Sequence, residues 1–329
     1  MNLRIIKAGV FDTVQDLGRY GWQHEGVNPG GAMDKLSAQL ANILVGNDPQ
    51  QAVIEMHFPA SAFFFEQPAL IALSGADFSA SVNGEEILIL QPVLVSKYSI
   101  LQFHGVQCGA RCYLAVHGGV DIPKWLNSYS THLKAGAGGY KGKTLQKDDE
   151  IPMKPSADLA GLIGKKEFQI FPWKAEPSPA NDLSGRILLL HGNEWSRLTE
   201  GSKERFVNQS YSITTQSDRM GYRLLSGSLS ATTKEELVSS AVSFGTVQLL
   251  PEGQLIVLMA DHQTAGGYPR IAHAITAHHS LLAQLKPGDQ MRFKFTDHKT
   301  AEQLLLSQQQ HLRQLQHACL FKLEEFLHA

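Results

Sequence analysis

A polar turn occurs twice in this chain, with about 200 residues between its two copies. Residues 13–21 read TVQDLGRYG and residues 215–223 read TQSDRMGYR, so an aspartate, an arginine, a glycine and a tyrosine recur. Residues 109–123 and 253–269 share a further order of a glycine, an apolar run, a double glycine and a proline. Two copies are too few for a solenoid, which needs about three repeats to bury a continuous core. The duplication therefore predicts two related lobes.

Short apolar runs bounded by glycine and proline predict β-strands in both halves. In the first half the predicted strands are residues 3–7, 69–74, 78–82, 92–96 and 111–116. In the second half they are residues 186–190, 211–215, 246–250, 254–259, 272–276 and 291–295. The chain is thus expected to be mainly β, with a closed or sandwiched structure in the first lobe.

Helical spacing of apolar residues is confined to two places. One predicted helix follows Met33 and stops at Gly46, and a second runs from Asp297 to about residue 328. We interpret the second helix as packing on its own lobe, with a partner-binding helix as the alternative. The predicted boundaries are a first lobe at 1–154, a connection at 155–184 with a short strand at 168–171, a second lobe at 185–296 and the C-terminal helix at 297–329.

Charge and apolar content exclude two classes of partner. Lysine and arginine number 29 against 31 acids, so no excess positive field exists to hold a nucleic acid. No apolar run reaches the roughly 18 residues of a membrane helix, and the first residues lack a signal-peptide pattern. Three cysteines fit a reducing compartment. We therefore expect a cytoplasmic protein that binds neither nucleic acid nor membrane.

The duplicated turn supplies the first candidate functional residues. Working groups commonly stand in loops, and Asp218 is a candidate for chemistry on this ground. The alternative is that Asp16 and Asp218 accept backbone N–H bonds in their own turns. Arg19, Arg219 and Arg223 have the planar fork that binds carboxylates and phosphates. Their alternative is an ion pair with Asp218 or a solvated loop face.

A glycine-rich segment at residues 28–34, NPGGAMD, starts the first helix. Gly30 and Gly31 could form an anion cradle there, because helix N-termini attract anions. The segment lacks the lysine and hydroxyl residue of a phosphate loop, and a simple glycine-started helix is the alternative. Asp34 completes the segment and is a further candidate.

The loop at residues 261–269, DHQTAGGYP, follows a predicted strand. Gln263, Thr264, Gly266 and Gly267 are candidates for shaping a cleft, since glycines admit close approach of a ligand. Histidines near this loop lack a recognised metal-ligand pattern, so no metal site is expected. Residues 153–155 read MKP rather than a biotin-attachment motif, so no covalent biotin is expected on this chain.

Five segments together resemble a known family. They are residues 13–21, 30–34 (GGAMD), 41–47 (ANILVGN), 217–224 (SDRMGYRL) and 263–269 (QTAGGYP), and they occur in the family's order. The chain resembles the C subunits of 5-oxoprolinase, in the biotin-dependent carboxyltransferase or allophanate hydrolase subunit 2 family, over residues 3–297. Residues 127–131 read NSYST where relatives tend to have GSRST, and the C-terminal helix lies outside the pattern.

The resemblance implies two cyclophilin-like β-barrel lobes and an ATP-dependent activity. It implies a stable complex with the B subunit of 5-oxoprolinase, which together with this chain activates the lactam, and an association with the A subunit. The complex would open 5-oxo-L-proline to L-glutamate, holding ATP and Mg at a position that the sequence does not give. Two alternatives stay open: a urea-type carboxyltransferase, and a non-enzymatic regulator that binds a kinase-inhibitor protein.

On this reading each candidate residue has a role. The expected catalytic residues are Asp34 and Asp218, which would polarise or orient the amide, and Arg223. Arg19 and Arg219, with Arg223, would contact anions. The remaining residues expected at the substrate or phosphate are Gly30, Gly31, Gln263, Thr264, Gly266 and Gly267.

Overall fold

The computed structural model describes residues 2–154, 159–163, 166–176, 185–233 and 237–327. The chain divides into two compact units, and each is described by itself. The first unit is Met1–Arg19, Gly30–Pro177 and Gln310–Ala329, and the second is Tyr20–Pro29 and Ser178–Gln309. Two segments group differently from the predicted boundaries, because 20–29 belongs with the second unit and 310–327 with the first. Residues 155–158, 164–165 and 177–184 of the predicted connection lie outside the described residues.

Twelve of the described strands lie in the first unit and form two six-stranded antiparallel sheets. The strands are β1 (Asn2–Lys7), β2 (Thr13–Gln15), β3 (Val53–Met56), β4 (Ala62–Phe65), β5 (Ala69–Asp77), β6 (Ala80–Val82), β7 (Glu85–Glu86), β8 (Pro92–Val95), β9 (Ile100–Phe103), β10 (Cys108–Val116), β11 (Glu150–Pro152) and β12 (Phe168–Ile170). Their orders are β11-β1-β4-β9-β6-β7 and β12-β8-β5-β10-β3-β2.

The core of the first unit is built from side chains of both sheets. Leu3 and Ile5 of β1 are buried in one cluster with Ile71 and Leu73 of β5, which belongs to the other sheet. Alternation along β1 explains the pattern, since every second side chain points to the same face of a strand. The first unit is therefore a sandwich of two sheets, which is one of the two arrangements predicted from the sequence for the first lobe.

Helix α1 (Lys35–Leu44) packs on a second cluster of the first unit. Its neighbours there include Cys319 and Leu323 of the long helix His298–Leu327, which are 4% and 3% exposed. Gly46 admits this packing, because a Cβ on it would stand 2.7 Å from Leu323 Cδ1. The prediction that the C-terminal helix packs on the second lobe is wrong for its last turns. In these turns Cys319 and Leu323 are buried in the first unit instead.

The second unit contains a closed seven-stranded barrel in the order β13-β20-β17-β18-β15-β14-β21 and a two-stranded ribbon β16-β19. The strands are β13 (Arg186–His191), β14 (Tyr211–Ile213), β15 (Gly221–Leu225), β16 (Ser240–Ala241), β17 (Thr246–Leu249), β18 (Leu255–Leu258), β19 (Ala265–Gly266), β20 (Arg270–Ala274) and β21 (Gln290–Phe295). The remaining helices, in chain order, are α2 (Ala160–Ile163) of the first unit, α3 (Glu200–Asn208), α4 (His279–Ala283) and α5 (His298–Leu327). Three short 3₁₀ helices are Gln23–Glu25, Trp195–Arg197 and Thr276–His278.

Residue alternation decides which side chains face out of the barrel. Tyr222 and Leu224 of β15 are each 1% exposed inside it, whereas Arg223 between them points outward and is exposed. Arg223 is paired with Ile256 of β18, and Ile256 with Gln248 of β17. Cross-strand partners share a face, so these three side chains form one strip on the outer wall.

The prediction of a mainly β chain is confirmed, and the second lobe is a closed barrel. Each predicted strand overlaps an observed one, but several strands were missed, among them β2, β3, β4 and β15. β2 and β15 lie in the two polar turn motifs themselves. β2 has only three residues and β15 begins inside the turn motif, so neither forms a separate apolar run; each is paired with a neighbouring strand, β3 and β18 respectively.

Candidate functional site

The first copy of the duplicated turn is held by a buried carboxylate. Asp16 is 6% exposed, and its Oδ1 accepts hydrogen bonds from Gly18 N at 2.8 Å, Ser128 Oγ at 2.7 Å and Ser130 Oγ at 2.5 Å. Its Oδ2 accepts one from Tyr129 N at 2.6 Å. The turn is thereby fastened to the loop at residues 127–131. Asp16 takes the turn-stabilising role that the sequence allowed as the alternative.

Arg19 belongs to the same locked arrangement. Only 1% of it is exposed, its guanidinium donates to the backbone carbonyl of Ser130, and its Cζ lies 4.7 Å from the ring centre of Trp125. Such a cation–π contact inside the protein holds the side chain in place. Arg19 is therefore buried against Trp125 and Ser130, and a role of Arg19 in anion binding stays a prediction.

Asp34 caps the first helix. Its Oδ1 accepts from Ser37 N at 3.0 Å and its Oδ2 from Ser37 Oγ at 2.6 Å, so the helix N-terminus already faces its own carboxylate. The Asp34 amide donates to Tyr113 Oη, which donates in turn to Glu55. Burial, and then the Glu55 carboxylate, raises the pKa of Tyr113 well above its usual value, so the phenol keeps its proton.

Gly30 and Gly31 both have positive φ, at 60° and 94°. A Cβ on Gly31 would stand 2.8 Å from Gly18 N, so this glycine lets the helix start pack against the first turn. Because Asp34 occupies the position where an anion would lie, the segment has the geometry of a capped and packed helix start. A role of these glycines at a substrate stays a prediction.

One buried acid stands just before the first turn. Asp12 is 0% exposed, and its two oxygens accept from His57 N at 3.1 Å and from Ser61 N at 2.7 Å. Burial raises the pKa of Asp12 to about 6, because desolvation outweighs the stabilising hydrogen bonds. When Asp16 is aligned with Asp218, the residue of the second copy that corresponds to Asp12 is Thr214.

The second copy of the turn is held differently. Asp218 is exposed, and its Oδ1 accepts from Met220 N at 2.7 Å and Gly221 N at 3.3 Å. Ser217 Oγ accepts from Arg223 N at 3.0 Å, which fixes the backbone of that arginine. The side chain of Arg223 stays exposed on the barrel wall. The turn thus presents one carboxylate and one guanidinium outward.

Arg219 is engaged within the second unit. Its Nε donates to Asp261 Oδ2 at 2.8 Å and its Nη2 to Asp261 Oδ1 at 3.2 Å, a bidentate pair. The amide of Asp261 donates back to the carbonyl of Arg219 at 2.8 Å. The ion pair that the sequence offered as an alternative exists, with Asp261 rather than Asp218 as the partner. Arg219 therefore joins the turn to the loop after β18.

A cavity of about 490 Å³ opens beside the second turn, entirely within the second unit. Three of the predicted site residues line it: Asp218, Arg223 and Gln263. Its lining also includes Gln248, Glu252 and Tyr268, which the sequence did not single out. A volume of this size lies within the range of about 300–1,000 Å³ typical of small-molecule sites. Arg219, Thr264, Gly266 and Gly267 are not among its lining residues.

The inner wall of this cavity holds an unusual amide. Gln248 is 1% exposed, and among the described residues its Nε2 has no hydrogen-bond partner. A Cβ on Gly266 would stand 2.8 Å from Gln248 Nε2 and 3.3 Å from Gln263 Nε2. A side chain at position 266 would therefore crowd both carboxamides, although Gly266 does not itself line the cavity. No motif in the sequence marks Gln248, which lies within the short buried strand β17.

A second bidentate pair braces the same wall. Arg270 of β20 is the cross-strand neighbour of Gln248, and its guanidinium donates to Glu194 at 2.8 Å and 3.1 Å. Hydrogen bonds and charge from Arg270 outweigh desolvation and lower the pKa of Glu194, so this carboxylate stays ionised. With Arg270 so engaged, Arg223 supplies the positive charge of the cavity lining.

The described residues offer neither a metal site nor a membrane-spanning helix. They contain no group of three or more His, Cys, Asp and Glu side chains placed to hold a metal ion. None of the helices they form combines the length and apolarity needed to cross a bilayer.

The sequence and the fold match one family. The carboxyltransferase domain family, subdomains A and B, matches residues 25–295, and this chain belongs to it. The chain is 36% identical to the C subunit of 5-oxoprolinase from Escherichia coli, over 95% of this chain and 97% of the relative. It is 33% identical to the C subunit of 5-oxoprolinase from Haemophilus influenzae, over 92% of this chain and 94% of the relative.

Solved structures resemble the chain over nearly its whole length. It superposes on the urea amidolyase of K. lactis with a TM-score of 0.85 at 26% identity, covering 95% of this chain but 20% of that one. The urea carboxylase of Kluyveromyces lactis gives the same TM-score and covers 29% of that chain. This chain therefore spans less than a third of either protein. Together the comparisons make it a carboxyltransferase-family subunit of a 5-oxoprolinase-type system.

Proposed function

We propose that this protein is a subunit of an ATP-dependent 5-oxoprolinase that opens 5-oxo-L-proline to L-glutamate. The observation that carries the proposal is the second-unit cavity, which collects Asp218, Arg223 and Gln263 from two separate sequence motifs. The similarity to the C subunits of two 5-oxoprolinases over more than nine-tenths of the chain supports the substrate.

The cavity suits a small acid that also carries an amide. Arg223 offers an outward guanidinium, which would bind the carboxylate of 5-oxoproline. Asp218 has one oxygen committed to its turn and a second that faces no donor among the described residues, so it can accept the lactam N–H. Gln263, which also lines the cavity, would offer its carboxamide as a further hydrogen-bonding group.

Ring opening needs activation, because a lactam is a poor electrophile. In the proposed reaction the terminal phosphoryl group of ATP passes to the lactam carbonyl oxygen, and ADP leaves. Water then adds to the carbonyl carbon that bears this oxygen. The ring C–N bond breaks and the nitrogen takes up a proton. A second water molecule then releases the phosphate. Arg223 would hold the substrate in place through these steps, and Asp218 would orient the ring nitrogen.

The cavity does not fit the nucleotide. Its charged lining residues are Arg223, Asp218 and Glu252, which leaves no net positive charge for a triphosphate. The helix start at residues 28–34 offers no replacement, because Asp34 already fills its N-terminus. We therefore assign ATP and Mg to a part of the complex outside this cavity.

The proposal requires partners. The name of the E. coli relative denotes one subunit of a larger enzyme. We propose that this chain forms a stable complex with the B subunit of 5-oxoprolinase, and that the reaction is completed in the cytoplasm by the A subunit. A stable interface of this kind buries about 1,200–2,000 Å² in total, or more when obligate.

Reconstitution tests the function directly. Purified chain is combined with its partner B and A subunits, and glutamate release and ADP formation are measured with 5-oxo-L-proline. We expect both products only in the three-component mixture, and a complex of this chain with the B subunit that survives gel filtration. Full activity of the isolated chain, or none of the mixture, would refute this assignment.

A urea-type carboxyltransferase is the second candidate, favoured by the structural match to the Kluyveromyces lactis urea carboxylase. The two candidates differ in their requirement for carboxylated biotin. Carboxylation of urea in the presence of a biotin carrier and its carboxylase, together with inactivity on 5-oxoproline, would establish the second candidate instead.

A further inference from the structure

Strands β14 and β15 part from a regular ladder just where Arg223 stands. Thr214, which directly follows β14, lies opposite Arg223 in the register set by the pair Ile213 and Leu224. Two residues that face each other in such a pair normally exchange two bonds, one from each amide. Among the described residues, Thr214 N donates to the Arg223 carbonyl at 3.0 Å, but the Arg223 amide donates elsewhere.

Ser217 takes the place of the second bond. Its backbone amide donates to the Thr214 carbonyl at 3.2 Å, and its Oγ accepts from the Arg223 amide at 3.0 Å. The same hydroxyl donates to the Arg223 carbonyl at 3.4 Å. One serine thus satisfies the carbonyl of one chain segment and the amide of the other. Ser217 therefore holds both backbone polar groups of Arg223, although it does not itself line the cavity.

This insertion fixes the point from which the guanidinium starts. On its other side Arg223 is paired with Ile256 of β18, so its backbone is held by both neighbours. With the backbone held, only the side-chain torsions of Arg223 stay free, and the residue lines the cavity. Without the hydroxyl, the Arg223 amide would need another acceptor. The Thr214 carbonyl is the one that a regular ladder offers, and bonding to it would draw the start of β15 toward the preceding segment.

The first copy of the turn lacks both members of this pair. With the aspartates of the two motifs aligned, Gln15 stands at the position of Ser217 and Gly21 at the position of Arg223. A serine hydroxyl is short and bonds readily to the backbone of its own turn, whereas a glutamine side chain is longer. The hydroxyl and the guanidinium thus occur together, in the copy of the turn that borders the cavity.

We propose that Ser217 is a positioning residue of the carboxylate site, which holds Arg223 where its guanidinium can bind a small carboxylate in the cavity. This inference rests on the proposed function for the identity of the ligand and for the role of Arg223. Ser217 acts through the backbone of that arginine and does not contact the ligand. Its removal should therefore weaken the binding of ligands that carry a carboxylate and spare ligands without one.

Equilibrium binding to the full-length chain tests the proposal. The readout is ligand-observed NMR titration, which also measures weak affinities. The probes are 5-oxo-L-proline and 2-pyrrolidinone, which is the same lactam without the carboxylate. We expect Ser217→Ala to weaken binding of 5-oxo-L-proline at least about fivefold and to change binding of 2-pyrrolidinone less than about twofold. Ser217→Thr should bind both probes within about twofold of the wild type, because threonine keeps the hydroxyl.

A double-mutant cycle with Arg223→Ala separates positioning from folding. Because Ser217 acts through the guanidinium, Ser217→Ala should change binding of 5-oxo-L-proline less than about twofold once Arg223 is alanine. Ser212→Ala is the matched control, since Ser212 lies on β14 before the same turn and does not line the cavity. It should leave binding of both probes unchanged. Thermal melting of every variant checks that the barrel is intact.

The outcomes also separate this inference from the proposed function. No binding of 5-oxo-L-proline by the wild type, equal losses in the two backgrounds, or unchanged binding by a well-folded Ser217→Ala protein would overturn the inference, even if the reconstituted complex released glutamate. A loss that requires Arg223, together with no glutamate release, would uphold the inference and refute the function.

Discussion

The two copies of the polar turn have related sequences and opposite environments. In the first, Asp16 is 6% exposed and accepts four hydrogen bonds, three of them from the loop at residues 127–131. In the second, Asp218 is exposed and accepts bonds only from amides of its own turn. The first turn is fastened into its unit, and the second opens on a cavity.

The difference shows how a duplicated motif can divide its tasks. Both turns keep an aspartate because both need a backbone acceptor, as polar turns commonly do. The arginines have separated: Arg19 is stacked on Trp125, whereas Arg223 stands outward on β15. Repeating a motif within one chain therefore preserves local geometry, and the neighbouring loop decides whether the motif is structural or available to a ligand.

The largest expected effect comes from Asp16→Ala. Removing this carboxylate leaves the hydroxyls of Ser128 and Ser130 and two backbone amides without their shared acceptor, and should cost about 3–4 kcal/mol of unfolding free energy. Asp218→Ala in the second turn should cost about 1 kcal/mol or less, because its site is solvated. Urea unfolding of both variants measures the difference. Equal losses would show that the two turns are equivalent structural elements.

Asp12 should make the first lobe sensitive to pH, whereas its counterpart Thr214 cannot titrate. Because burial raises the pKa of Asp12 to about 6, above an unfolded value of about 3.9, the folded state keeps the proton longer. This stabilisation is complete below about pH 4 and is lost as the pH rises through 6, by at most about 3 kcal/mol. The difference in unfolding free energy between wild type and Asp12→Asn should fall over that window. A constant difference would contradict the raised pKa.

Arg223→Ala should separate function from stability in the second turn. We expect a loss of at least about 100-fold in turnover by the reconstituted complex, equivalent to about 2.7 kcal/mol, with unfolding changed by no more than about 0.5 kcal/mol. Arg19→Ala is the comparison in the first turn, and it should lower the melting temperature because a buried side chain is lost. Near-normal turnover of a well-folded Arg223→Ala protein would remove this arginine from the site.

The smallest effect is expected at the brace behind the second turn. Asp261→Asn weakens the bidentate pair with Arg219, whose side chains are 28% and 8% exposed respectively. The expected loss is about 1–2 kcal/mol of stability, with substrate affinity of the complex changed less than twofold. Binding and unfolding are measured on the same preparation. A large loss of affinity without loss of stability would instead indicate that Arg219 acts in ligand binding, as predicted from the sequence.

Periodicity carried most of the fold prediction. The helix after Asp34 follows from apolar spacing and the stop at Gly46, and the helix from His298 from its run of leucines. The strands with apolar runs, such as β5 and β10, were likewise visible. β2 and β15 were missed, because β2 has three residues and β15 starts inside the turn motif, and each depends on pairing with a neighbouring strand.

The residues of the candidate site were likewise predicted only in part from the sequence. Asp218, Arg223 and Gln263 were predicted from loops and motifs, and the structure places all three around one cavity. Gln248 and Glu252 were not predicted, since each lies in or next to an ordinary strand with no distinctive motif. Asp34 was selected because it completes the glycine-rich segment before the first helix, but its carboxylate caps α1. Capping and ligand binding use the same residue types, so composition alone does not separate them.

By itself, the sequence determined the duplication, the mainly β character and the family, because these depend on order and spacing along the chain. Tertiary structure alone decided which copy of the turn is locked and which faces a cavity. That choice depends on Ser128 and Ser130, more than 100 residues from the first turn, and on cavity residues such as Gln263, at least 40 residues from the second. Hydrogen bonds and steric contacts act over a few ångströms, whatever the separation in sequence, so only the folded chain brings these partners together.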